Sequence, residues 1–478
     1  MVIDEQNTEG VHFLNLSHFN HKLMKRYFIF GWAFLTCCLL NAQLTIYSNV
    51  NQQGSSATCV APTIYVGENV PNGINDGIKS ITLKQGFMAT LADNADGTGE
   101  GFSYIASVSD LNVNLANVLR DKVSFIRVLP IKNVKKKGAG EQNNITVGLL
   151  NVGWFYDWGI SDVSTETIEF APMLWGAYSS SIETSINTVI NKTNLTHFLA
   201  FNEPDSRGQS GVSGGGMADN VALAIPFYKK MLRSGYRMGS PATREEGFKT
   251  WLKDFSTLAN QDTLRIDFIA VHWYDWGNWS STPNTNPDVN ALFNRFKSYI
   301  TNVYNLYQKP IWITEFNANP NRPSAVQEAF MALALPWLET DPRVERYAYF
   351  FEKTFPPQSE GVLTAVGRIY SNHVSTPANP GNVLDKRAGA TVSVIENDDP
   401  TFKVYPNIAQ NKIDVAFRTV SDAAQIKIFN INGQLVSTLN LKIGASSQTI
   451  DIAHFTEGVY ILTLQDKGNI QSRKFVKQ

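Results

Sequence analysis

Hydrophobic positions along this chain change their period twice, and the changes divide it into three blocks. From about residue 43 to 130, short runs alternate apolar with polar between Gly, Asn and Asp. Examples are Leu44-Thr45-Ile46-Tyr47, Ser80-Ile81-Thr82-Leu83, Phe87-Met88-Ala89-Thr90-Leu91 and Val123-Ser124-Phe125-Ile126-Arg127-Val128. This period and turn spacing predict a small all-β sandwich. From 147 to 376, short apolar runs of buried-strand type alternate with amphipathic helical stretches. Ser324 and Gln327 form a capping box ahead of Phe330, Leu333 and Trp337 on one helical face. From 401 to 478 the period returns to two, as in Gln425-Ile426-Lys427-Ile428-Phe429, which predicts a second all-β sandwich. The polar stretches 131–146 and 377–400 read as linkers, and Lys132 to Gly140 as a solvated basic hinge.

In the middle block, strands are predicted at Val152–Trp158, Phe170–Gly176, Phe198–Asp205, Met238–Ala242, Ile266–Trp276, Ile311–Phe316 and Arg346–Phe351. Seven strands alternating with helices predict a (β/α)8 TIM barrel whose eighth strand the pattern does not locate. The fold class expected is therefore multidomain, with a central barrel flanked by two all-β domains. Glu203, in Phe201-Asn202-Glu203-Pro204-Asp205, and Glu315, in Trp312-Ile313-Thr314-Glu315-Phe316, each end a buried run. Barrels of this kind keep catalytic groups at the carboxyl ends of their strands. Two carboxylates on different strands are the minimum equipment for breaking a glycosidic bond.

Pro172-Met173-Leu174-Trp175-Gly176, Asn202-Glu203-Pro204-Asp205, Gly239-Ser240-Pro241-Ala242, Ile266 to Tyr274 and Trp312 to Phe316 together carry a resemblance. Over roughly 148–370 the chain resembles glycoside hydrolase family 128, retaining (β/α)8 endo-β-1,3-glucanases. That resemblance implies Glu203 as acid/base on strand four and Glu315 as nucleophile on strand seven. It also implies Asn202 as donor to the sugar hydroxyl beside the anomeric carbon.

Residues 43–130 resemble a βγ-crystallin domain through Asn75-Asp76-Gly77-Ile78-Lys79-Ser80 and Arg120-Asp121-Lys122-Val123-Ser124-Phe125. Calcium-binding relatives carry a hydroxyl residue where Lys79 stands. A cation there repels Ca²⁺, so weak or absent binding is expected. Residues 401–478 look like the C-terminal sorting domain of the type IX secretion system. The matching features are Val404-Tyr405-Pro406-Asn407, Ile428 to Gly433, Gly458 to Leu462 and the terminal Lys474 to Gln478. This implies the type IX machinery as partner and a secreted or surface location.

His272 and Tyr274 fall on one side of the strand beside that of Glu315, where either can orient the nucleophile. Two carboxylates about 5 Å apart each raise the cost of ionising the other, which favours a protonated Glu203. Aromatics make up 12% of the residues, with ten Trp. Trp154, Tyr156, Trp158, Trp175, Trp276 and Trp279 fall at strand ends, where rings either stack on sugar faces or pack. Asp205 and Asp275 are secondary candidates, as partners of Arg207 or of nearby backbone. Seven His without ligand spacing point to no metal and no cofactor. A net charge of −1 gives no support to nucleic-acid binding.

Lys25-Arg26 ahead of the apolar run Tyr27–Leu40 and Leu40-Asn41-Ala42 reads as a signal peptide over 24–42, too short for a membrane span. Asp4, Glu5 and Glu9 suit no signal, so translation is expected to begin at Met24, which N-terminal sequencing of the precursor tests. No membrane span is then expected in the mature chain, and Cys59 is its one cysteine, a small buried hydrophobe. Beside the endo-β-1,3-glucanase stand three other readings: a catalytically silent glucan-binding surface protein, an adhesin, and a hydrolase of another β-glucan linkage.

Overall fold

The structure, a computed structural model, describes residues 43–478 apart from 133, 142–143, 162–167, 178–181, 210–215, 282, 351–357, 360–361, 385–401, 421–423, 431–434 and 467–468. The leader 1–42, where the signal peptide is expected, lies outside the described residues. No helix among the described residues is long and apolar enough to cross a membrane.

Residues 44–130 form eight strands: β1 (Leu44–Tyr47), β2 (Ser56–Cys59), β3 (Thr63–Val66), β4 (Ser80–Leu83), β5 (Phe87–Ala92), β6 (Gly101–Ala106), β7 (Leu111–Asn114) and β8 (Phe125–Pro130). They make two antiparallel sheets in the orders β2-β1-β4-β7 and β6-β5-β8-β3. Each half of the block keeps three strands and exchanges its third with the other sheet. Leu44, Ile46, Ile81 and Val113 from one sheet meet Ala89, Leu91, Phe102 and Val128 from the other in a shared core. Cys59 is buried there as a free thiol, its pKa pushed up to about 12 by burial.

The barrel has eight parallel strands: β9 (Lys137–Gly140), β10 (Trp154–Tyr156), β11 (Glu169–Phe170), β12 (His197–Phe198), β13 (Arg237–Met238), β14 (Ile269–Trp273), β15 (Ile311–Phe316) and β16 (Val344–Tyr349). Ladders join β11-β10-β9-β16-β15-β14 and β12-β13, and single parallel bridges Met173–Leu199 and Gly239–Phe268 close the ring. The strand missing from the sequence pattern is β9, and it corrects the reading of 131–146 as a linker. Lys136 and Lys137 are buried because they cap helix ends rather than face water. Lys136 Nζ donates to the carbonyls of Glu339 (3.2 Å) and Asp341 (3.1 Å), at the end of the helix Ser324–Thr340. Lys137 Nζ donates to Tyr370 and His373 carbonyls, each at 2.7 Å, at the end of Ala365–Asn372. Orphan carbonyls at helix C-termini are natural cation partners. Gly138 is required by packing, since a Cβ there would lie 2.2 Å from the Trp154 ring.

The expected second linker also departs from solvent. Val383–Leu384 adds to the edge of β6, pairing with Ile105 and Tyr104. Met88, Ile105 and Leu129 of the first domain belong to the same hydrophobic cluster as the barrel helices. The two domains are therefore continuous across a buried face. Residues 402–478 form a β-sandwich of a three-stranded and a five-stranded sheet around Ile413, Val415, Ile426, Ile428, Leu462 and Phe475.

Candidate active site

Counting from β9, the residues beyond β12 end on Glu203 and strand seven carries Glu315. The chain turns sharply at Glu203, which has φ +40, a conformation that L side chains adopt only under constraint. Its amide donates to Ala242 O at 2.7 Å, tying it to the Gly-Ser-Pro-Ala segment of the next strand. Backbone strain of this kind concentrates where a side chain must be aimed.

The two carboxylates converge on His272. Nδ1 of this wholly buried ring lies 3.0 Å from Glu203 Oε1 and 3.3 Å from Glu315 Oε2. One oxygen of each glutamate and one ring nitrogen all fall within 4.8 Å of one another. Glu315 is held from the other side as well. Trp158 Nε1 donates to Oε1 at 3.1 Å, Tyr156 OH to the same oxygen at 3.3 Å, and Tyr274 OH to Oε2. Register explains the convergence, because His272 of β14 pairs with Glu315 of β15 across a bulge at Val271/His272.

Electrostatics follow from burial and these contacts. Burial works against the His272 cation, yet the charges of Glu315 and Glu203 prevail and its pKa stands above the usual 6.5. Burial likewise disfavours an ionised Glu203, but the His272 hydrogen bond and charge, helped by Arg244, bring it below the usual 4.5. The His272 contact thus works against the protonated Glu203 expected from the Glu315 charge alone. Burial first, and then the Glu315 charge, pushes the Tyr156 and Tyr274 hydroxyls far above 10, so both remain donors.

A cavity of about 300 Å³ opens in front of the pair, lined by Trp158, Asn202, Glu203, Gln209, Arg244, Glu245, Tyr274, Trp276, Glu315 and Phe350. Trp158 and Trp276 are the two predicted tryptophans that face it. Trp154 is core: fully buried against Trp312 at 4.9 Å, with Nε1 donating to Lys136 O. Tyr156 is buried behind Glu315. Trp175 packs against the barrel interior, where its carbonyl accepts from Asn202 N at 3.0 Å. Trp279 lies with its ring centroid 5.9 Å from the Arg322 guanidinium and is not among the cavity's lining residues.

Asp205 pairs with Arg244 at 3.3 Å, while Arg207 pairs with Asp219, which corrects the Asp205–Arg207 alternative. Asp275 bridges Arg295 at 2.7 Å and Arg322 at 2.8 Å. Sequence reasoning missed Gln209, Arg244, Glu245 and Phe350. For Arg244 and Glu245 the available signal was a charge run directly after the buried Gly239-Ser240-Pro241-Ala242-Thr243.

A closed parallel barrel with paired carboxylates at its C-terminal mouth is an arrangement suited to glycoside hydrolysis. Residues 134–370 match the family described as glycosyl hydrolase catalytic core, and residues 403–478 the secretion system C-terminal sorting domain. Residues 134–370 thus carry a glycosyl hydrolase catalytic core, and the sorting domain supports export to the cell surface or beyond.

Among solved structures, the chain is similar to a family 128 (subgroup I) endo-β-1,3-glucanase from Amycolatopsis mediterranei in complex with laminarihexaose. That match has 28% identity over 50% of this chain and 100% of the other, with a TM-score of 0.42. It is also similar to a subgroup III curdlan-specific exo-β-1,3-glucanase from Blastomyces gilchristii, at 28% identity over 50% and 97%, TM-score 0.37. A subgroup VII oligosaccharide-binding protein from Trichoderma gamsii matches at 23% identity over 50% and 93%, TM-score 0.39. No curated protein sequence matches significantly.

Proposed function

We propose that this protein is a secreted endo-acting hydrolase of β-1,3-glucan that works by retaining double displacement. The observation that carries the proposal is the approach of a Glu203 oxygen to within 4.8 Å of a Glu315 oxygen across an open cavity. Retaining pairs stand about 5–5.5 Å apart, whereas inverting pairs leave about 6.5–9.5 Å for a water. The β-1,3 linkage and the internal cut rest on the motif resemblance to family 128.

In the first step Glu315 forms a bond to the anomeric carbon as the bond to the leaving oxygen breaks. The proton reaches that oxygen from Glu203, which receives it from His272 Nδ1 at 3.0 Å. Once Glu315 is esterified its charge is gone, and with it the main influence that raised the His272 pKa. In the second step Glu203 takes a proton from water, which attacks the anomeric carbon and releases Glu315. Tyr274 and Trp158 fix the two oxygens of the nucleophile, Asn202 donates to the neighbouring sugar hydroxyl, and Trp158 and Trp276 offer ring faces to glucose.

Product analysis on laminarin and curdlan tests this reading. We expect a ladder of oligosaccharides that keep the β configuration on release. Glu203→Gln and Glu315→Gln should each lower kcat by at least about 10³-fold, and Trp276→Ala should chiefly raise KM. Intact polymer in the presence of folded wild-type protein would eliminate the substrate assignment, and α products would eliminate retention.

The first domain is read as βγ-crystallin-like, a reading supported by the reciprocal exchange of β3 and β7. Side chains of its two calcium-type motifs contact each other. Lys79 Nζ lies 3.6 Å from Asp121, and Ser124 Oγ donates to Asp76 at 2.8 Å.

A further inference from the structure

We propose that Glu245 is a positioning residue for the nucleophile, its carboxylate clamping the backbone that carries Tyr274. This rests on the hydrolase reading above. Glu245 begins the short 3-10 turn Glu245–Lys249 that follows β13 and is 9% exposed at the cavity wall. Its oxygens are taken by three amides of one loop. Oε1 accepts from Tyr274 N at 2.5 Å and Trp276 N at 3.0 Å, and Oε2 from Gly277 N at 3.3 Å. Burial raises its pKa, and these amide bonds offset part of that rise.

The same loop is tied from its far side. Asn319 Nδ2 donates to Tyr274 O at 3.0 Å, and Asp275, at φ +56, anchors to Arg295 and Arg322. Tyr274 is therefore fixed at both its N–H and its carbonyl, with its hydroxyl aimed at Glu315 Oε2. A tyrosine fixed through its backbone delivers its hydrogen bond without reorganisation when charge leaves the nucleophile. Trp276, held by the same carboxylate, is 37% exposed and faces the sugar space.

Removing the carboxylate should release Tyr274 and thereby act on kcat. Glu245→Ala is expected to lower kcat on laminarihexaose by about tenfold or more. Glu245→Gln keeps an oxygen toward Tyr274 N and Trp276 N, so it should restore most of that loss. In a Tyr274→Phe background, Glu245→Ala should lower kcat no further, because the hydroxyl it positions is already gone. Losses that multiply in the double variant would overturn the proposal, as would an unchanged kcat in Glu245→Ala.

Amide hydrogen exchange gives a readout that needs no turnover. Protection of Tyr274 and Trp276 amides should fall about tenfold in Glu245→Ala while the strand amides of β14 keep theirs. Unchanged protection at those two amides would equally overturn the proposal. A wild-type protein that cleaves no glucan would sink the hydrolase reading, while the exchange data would still decide the role of Glu245.

Discussion

Arg127 gives the sharpest test of whether the first domain and the barrel are one folding unit. It sits on β8, 3% exposed, and sends its guanidinium into the barrel. Nη1 donates to Ile190 O at 3.0 Å and Ser234 O at 2.6 Å. Nη2 donates to Lys192 O at 2.6 Å and Tyr236 OH at 3.0 Å, and the cation lies 4.2 Å from the Tyr236 ring centroid. The three carbonyl acceptors lie at or within two residues past the ends of the helices Ile182–Ile190 and Ile225–Leu232, where carbonyls need donors. Arg127→Met keeps most of the stem and removes four charge-assisted bonds, each contributing about 1.5–3 kcal/mol. Against that sum stands the several kcal/mol that the buried cation costs in lost hydration. The net expectation is a loss of about 3 kcal/mol, or about 4 °C in Tm for a unit of this size. Calorimetry of the wild type should show the first domain and barrel melting in one transition, because Met88, Ile105 and Leu129 share the barrel's core. Separate transitions, or an Arg127→Met variant that melts with the wild type, would refute the coupling.

Two further outcomes follow from the charges. The Glu203/His272 pair should stabilise the fold most between about pH 4.5 and 6.5. A raised histidine contributes fully below its unfolded pKa and loses that contribution as pH rises through its folded value. A lowered glutamate contributes above its unfolded pKa and loses that contribution as pH falls through its folded value. The Tm gap between wild type and His272→Gln should therefore narrow from about pH 6 to pH 9, and a gap that widens there contradicts the assignment. Activity should decline on the alkaline side with an apparent pKa above 6.5 belonging to the pair. Calcium, for its part, should leave the Tm unchanged, because Lys79 already neutralises Asp121; a millimolar-range upward shift would show that the motifs still bind.

How much of this was legible in the chain depended on whether a residue's role is local. Glu203 and Glu315 could be read because each ends a buried run and the barrel fixes what a strand end faces. Lys136 and Lys137 misled because the carbonyls that cap helix ends and hold them lie more than two hundred residues downstream, beyond the reach of any local pattern. Glu245 was silent for a related reason: it acts on backbone amides, which every residue carries and no motif marks.

The aromatic series on β10 shows what strand alternation can and cannot decide. Trp154, Tyr156 and Trp158 share one parity, and all three point to the barrel interior. Their fates are set by depth along the barrel axis. Trp154 lies level with Gly138, whose missing Cβ makes room for the indole, and is sealed in the core. Tyr156 reaches up to Thr314 O at 3.0 Å and the underside of Glu315. Trp158, past the strand end at φ +61, leaves the stack and lays its edge on the nucleophile and a face on the cavity. One strand thus supplies a core residue, a support and a cavity wall in sequence. Parity assigns all three to the interior, but only the stagger between neighbouring strands separates packing from chemistry.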